Sequence, residues 1–101
     1  MPQFVKVASV GDLAPGKVKT VKAGDRTIAL CNVDGKLHAV DNTCLHRGGP
    51  LGEGMLNGQV VVCPWHGWGY DVTSGKCNVN PAAQVACYEV KVEGTDVQVA
   101  V

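Results

Sequence analysis

Two short clusters hold the residues best suited to chemistry. Cys44-Leu45-His46 is followed, after sixteen residues, by Cys63-Pro64-Trp65-His66. Each cluster offers one thiolate and one imidazole. Two soft sulfur donors with two borderline nitrogens suit a zinc ion or an iron–sulfur group, and donor type alone leaves both open. The spacing departs from the C-x-x-C and H-x₃₋₅-H patterns of common zinc modules and from the C-x-x-C-H of covalent haem attachment. Two matched Cys/His pairs argue for coordination, since a single nucleophile needs only one. The chain carries no G-x-S-x-G, P-loop or G-x-G-x-x-G.

The remaining sequence must position these clusters, and its texture is all-β. Valines alternate with polar residues at Val5-Lys6-Val7, Val18-Lys19-Thr20-Val21, Val90-Lys91-Val92 and Val97-Gln98-Val99, the period-two pattern of half-buried strands. Asp34-Gly35 lies between the runs 28–33 and 37–40 and predicts a tight hairpin. Gly94 likewise separates 88–92 from 97–101. At most a short helical turn is expected near Asp12-Leu13-Ala14. From Asn42 to Pro81 the chain turns rich in Gly, Pro, Cys, His and Trp, with strand candidates only at 59–62 and 68–72. A Val-rich sheet base interrupted by an inserted loop module is therefore expected, and such loops are where function tends to sit.

Size and charge narrow the classes. One domain over residues 1–101 is expected, with 46% hydrophobic residues to fold it. Nine basic against nine acidic residues give zero net charge, which argues against a nucleic-acid binder. Residues 1–50 hold seven basic and four acidic side chains and residues 51–101 two and five, a drift too weak to name a partner. No stretch approaches the roughly 20 apolar residues of a membrane span. The start, MPQFVKVASV, shows no signal-peptide pattern, so a cytoplasmic chain is expected. There the five cysteines are thiols or metal ligands, not disulfides. Cys31, Cys77 and Cys87 read as small buried hydrophobes, and His38 as a surface or satisfied imidazole.

The C-x-H and C-x-x-H pair, with Gly67 after His66, Tyr70-Asp71 and the later Asn80-Pro81-Ala82, resembles the Rieske proteins, and over its whole length the chain is similar to the soluble, oxygenase-associated Rieske ferredoxins. The resemblance implies an antiparallel β-sandwich or barrel base with a smaller inserted cluster-binding subdomain, about 43–71, and a covering proline loop, about 79–83. It implies one [2Fe–2S] cluster, with Cys44 and Cys63 on one iron and His46 and His66 on the other. Two neutral imidazoles in place of thiolates make the group less negative, which accounts for potentials of roughly −150 to +300 mV against about −400 mV for all-cysteine plant-type clusters. Leu45, Arg47, Gly48, Gly49, Trp65, Gly67, Trp68, Tyr70 and Pro81 would form its surroundings.

The departures from the pattern also carry meaning. Gly49 and Trp65 stand where high-potential relatives carry a disulfide, and Trp68 stands where they carry a serine that donates to a sulfide. Losing that donor lowers the potential, and Tyr70 partly offsets it through the Cys44 sulfur, so the low part of the Rieske range is expected. The implied function is one-electron transfer, with no bond chemistry on this chain, from an NAD(P)H-dependent flavoprotein reductase to a terminal oxygenase. A monomer would dock transiently at the His46/His66 edge, over Leu45, Arg47, Pro50, Leu51, Trp65, Trp68 and Pro81. Two alternatives stand beside this: the small Rieske-fold subunit of an assimilatory nitrite reductase-type enzyme, and a structural zinc module. An oxygenase itself would need a second iron site of two histidines and a carboxylate, and only His38 is left over.

Overall fold

The computed structural model describes residues 3–44, 48–65, 67–80 and 82–101. Among the described residues ten strands follow in chain order: β1 (Phe4–Ser9), β2 (Val18–Ala23), β3 (Arg26–Val33), β4 (Lys36–Asp41), β5 (Met55–Asn57), β6 (Val60–Val62), β7 (Gly69–Asp71), β8 (Cys87–Tyr88), β9 (Val90–Glu93) and β10 (Asp96–Ala100). Among the described residues the only helical pieces are 3₁₀ turns at Val10–Asp12 and Leu51–Glu53. The all-β expectation holds, and the helical turn falls just ahead of its expected place.

Three antiparallel sheets result, ordered β1-β10-β9, β2-β3-β4-β8 and β5-β6-β7. The middle sheet carries the other two. Along β3, Ile28 and Leu30 point to one face and Ala29 and Cys31 to the other, and all four are fully buried. Alternation on a pleated strand lets four consecutive residues serve two cores. Ile28 and Leu30 pack with Val21, Ala39, Val97 and Val99 beneath the β1-β10-β9 sheet. Ala29, Cys31 and Val40 pack with Cys44, Leu51, Val61, Cys63, Tyr70 and Val72 from the segment inserted between β4 and β8. The insert therefore rests on the outer face of the base.

The β3–β4 hairpin turns on Asp34-Gly35, both at positive φ, with Val33 paired to Lys36. This is the backbone that a two-residue primed turn requires. The run expected as one strand at 88–92 is divided. Cys87 and Tyr88 pair with Val40 and Ala39 in the middle sheet, while Val90–Glu93 pairs with β10 in the outer one. The chain changes sheets at Glu89, and alternation alone cannot reveal this because both halves keep their period. Strand β5 is a further difference, since Met55-Leu56-Asn57 has no β-branched residue to announce it. Among the described residues no helix is long and apolar enough to cross a membrane.

Candidate metal centre

Two hairpin-like loops reach the same end of the molecule. The first leaves β4 and is tied at its base by the Thr43–Pro50 bridge. Within it the Cys44 N–H donates to the Gly49 carbonyl at 2.9 Å, and the Gly48 N–H to the Cys44 carbonyl at 2.7 Å. Asn42 anchors the stem. Its buried side-chain oxygen accepts from the Gly52 N–H at 2.7 Å and the Thr20 hydroxyl at 3.2 Å. The second loop joins β6 to β7, and the Cys63 N–H donates to the Trp68 carbonyl at 2.8 Å. Gly48 and Gly67 turn these loops at φ of 74° and 73°, a region costly for side chains.

Both thiols are buried in one core cluster, and the Cys44 thiol is near enough to bear on that of Cys63. Each sulfur has a donor close by. The hydroxyl of Tyr70, fully buried on β7, is 3.4 Å from Cys44 Sγ. The Trp65 N–H donates to Cys63 Sγ, also at 3.4 Å. Burial pushes the Cys63 thiol up, the Trp65 N–H opposes that, and the neighbouring Cys44 pushes it up further. Gly49 is pressed between these groups. A Cβ there would stand 2.7 Å from Cys63 Sγ and 3.0 Å from the Trp65 ring, so only glycine fits without displacing one of them.

A third loop, after β7, braces the second. Cys77 bridges Tyr70, and Asn78 and Gly69 exchange bonds: the Gly69 N–H donates to the Asn78 side chain at 3.1 Å, and the Asn78 N–H to the Gly69 carbonyl at 2.8 Å. Neither Asn42 nor Asn78 stands out in the sequence. A buried or bracing asparagine has no spacing that sets it apart from an ordinary turn residue.

Of the predicted site residues, Cys44, Cys63, Gly48, Gly49, Trp65, Gly67, Trp68 and Tyr70 gather here. His46, His66, Leu45, Arg47 and Pro81 lie outside the described residues. Two expectations need correction. Leu51, assigned to a docking surface, is fully buried, because the 3₁₀ turn it opens packs its side chain into the core around Tyr70. Cys87, read as buried, is exposed at the short strand β8. Cys31 and Cys77 are buried, and burial pushes the Cys31 thiol up to about 12. Trp65 is about half exposed (49%), while Trp68 is partly buried against the core.

Residues 3–89 match the model of the Rieske [2Fe–2S] domain. The chain belongs to this family. It is 40% identical, over 95% of its own length and 91% of the relative's, to the ferredoxin component of biphenyl 2,3-dioxygenase from Rhodococcus jostii (strain RHA1). Among solved structures it resembles the complex of reduced oxygenase and oxidized ferredoxin in carbazole 1,9a-dioxygenase, with a TM-score of 0.87, 32% identity and coverage of 96% of this chain and 92% of that one. A putative NADH-dependent nitrite reductase small subunit from Mycobacterium tuberculosis shares the fold, with a TM-score of 0.90 at 25% identity over 100% of this chain and 96% of that one. The Rieske chain is thus an electron carrier of the ferredoxin type that takes one [2Fe–2S] cluster, and is not itself an enzyme. The family displaces the structural-zinc alternative. The described residues fit such a group: two adjoining thiols, each with a nearby N–H or O–H donor, and a glycine where any side chain would press on a sulfur.

Proposed function

We propose that this Rieske ferredoxin accepts single electrons from an NAD(P)H-dependent flavoprotein reductase and passes them to a terminal oxygenase, docking by the edge formed by His46 and His66. Cys44 and Cys63 would hold one iron of the cluster and His46 and His66 the other. When bound, the cluster supplies a site that gains and loses one electron reversibly. The observation that carries this reading is the pairing of two buried thiols in adjacent loops, each beside a hydrogen-bond donor.

The chain's own residues do the rest. Tyr70 and the Trp65 N–H place positive dipole ends beside the sulfurs and so favour the more negative redox state. The core of Leu51, Val61, Tyr70 and Val72 keeps water from the protein side of the two thiols. Buried cysteines on short, hydrogen-bonded loops move little as charge changes, and little reorganisation suits electron transfer. The cluster-binding subdomain is taken as 43–71 and the covering loop as 79–83, within one domain of 1–101. The apolar half-exposed Trp65 and the absence of net charge suit a weak, transient contact of under about 1,200 Å² made by a monomer. Cys31, Cys77 and Cys87 as thiols suit a cytoplasmic setting.

The test is a single-turnover mix. Reduced protein is combined with the oxidised terminal oxygenase of a biphenyl-type system, and the absorbance of both partners is followed. Stoichiometric one-electron reoxidation supports the reading. A reduced chain that stays reduced beside the competent oxygenase, or that elutes only in a stable reductase assembly, contradicts it.

A further inference from the structure

Resting on the Rieske reading, we infer that Trp65 is a positioning residue that clasps the two cysteine loops together and keeps water off the Cys63 sulfur. The contacts form a closed circuit between the cysteines. Cys44 donates its N–H to the Gly49 carbonyl at 2.9 Å. Gly49 lies so close to the second loop that a Cβ would come within 3.0 Å of Trp65 Cδ2, 3.1 Å of Trp65 Cγ and 2.7 Å of Cys63 Sγ. Trp65 returns to Cys63 through its own N–H at 3.4 Å. No methyl group would fit between the indole and the first loop.

Exposure contrasts along this loop. Trp65 is 49% exposed, yet Cys63, two residues before it, is only 2% exposed. The half-exposed indole lies against Gly49. The ion pairs found among the described residues, Lys6–Asp96 and Lys91–Glu93, lie on the β1-β10-β9 sheet and join neither loop. An aromatic ring suits the task because it brings a large apolar area at a cost of only two rotatable bonds. Anchoring the ring also fixes the backbone of Trp65, and with it the N–H that bears on the sulfur.

The experiment compares wild-type, Trp65→Ala and Trp65→Phe proteins carrying their clusters. The first readout is the rate at which visible absorbance is lost to an excess of ferrozine under anaerobic conditions. The second is the deuteron coupling in pulsed electron paramagnetic resonance of the reduced protein exchanged into D₂O. Trp65→Ala is expected to release iron about tenfold faster, a change of roughly 1.4 kcal/mol in barrier, and to gain deuteron coupling as water enters. Trp65→Phe, which keeps a flat ring against Gly49, is expected to stay within about twofold of wild type and to gain no coupling. A ring that merely added bulk stability would lower the melting temperature without the gain in deuterons. If Trp65→Ala holds no iron while Trp65→Phe does, the clasp is supported. It is overturned if Trp65→Ala matches wild type in both readouts, or if Trp65→Phe fails as badly as Trp65→Ala. Wild-type protein that binds no iron overturns the Rieske reading, and the clasp with it, whereas the other outcomes bear on the clasp alone.

Discussion

The Tyr70 hydroxyl offers a direct test of how the protein sets its potential. Tyr70→Phe removes one oxygen, 3.4 Å from Cys44 Sγ, and leaves the fully buried ring in place. The reduced state carries one more negative charge, so a donor beside the sulfur stabilises it more than the oxidised state. Its removal therefore lowers the midpoint. A hydrogen bond to a neutral group is worth about 0.5–1.5 kcal/mol and one to a charged group about 1.5–3 kcal/mol. The contact is long and its partner is sulfur, so the difference between the two redox states is placed at about 0.5–1 kcal/mol. With 59 mV for each tenfold change in a one-electron couple, or about 1.4 kcal/mol, this becomes a fall of roughly 20–40 mV. Spectroelectrochemical titration measures it, with near-UV circular dichroism to verify that packing around residue 70 is kept. A midpoint that stays within about 10 mV of wild type, or that rises, refutes the argument that this hydroxyl favours the reduced state.

Further outcomes follow from the loops and their stems. Asn42→Ala leaves the Gly52 N–H and the Thr20 hydroxyl without the oxygen they share, a loss of about 1–3 kcal/mol; thermal unfolding should fall by roughly 4–8 °C for each kcal/mol, and an unchanged melting temperature would contradict it. His46→Cys adds a thiolate, so any cluster retained should titrate well below wild type, toward the roughly −400 mV of all-cysteine sites; an equal midpoint means that His46 is not a ligand. The Asp71 carboxyl is held below its usual 3.8 by hydrogen bonds from Thr73 and Gln59. Its folded value is lower than its unfolded one, so it contributes stability above pH 3.8 that is lost as the pH falls through the folded value. Asp71→Asn should therefore flatten the acid limb of the stability curve measured by urea unfolding, and parallel curves would contradict this.

How far the sequence foretold the molecule differs from element to element. The β3–β4 hairpin was legible because Asp34-Gly35 suits a two-residue primed turn and sits between two apolar runs. The meeting of Cys44 and Cys63 was legible because each opens a Cys/His motif, and two such motifs in one chain have few other uses. The change of sheet at Glu89 was hidden, since a strand that turns a corner keeps its alternation in both halves. Strand β5 was hidden because its partner β6, and not its own composition, holds it. Leu51 looked like surface in a glycine- and proline-rich loop, and only the fold of that loop over Tyr70 buries it. Local chemistry was thus readable wherever one residue type has one physical use. Placement that depends on distant partners was not.

In the proposed centre Cys44, His46, Cys63 and His66 together hold a two-iron group. Electron paramagnetic resonance of the dithionite-reduced protein tests it most directly. A red-brown chain whose reduced signal has an average g well below the free-electron value is the result expected of mixed sulfur and nitrogen ligation. A colourless, redox-silent protein with stoichiometric zinc, or a reduced signal typical of an all-cysteine cluster, would contradict it.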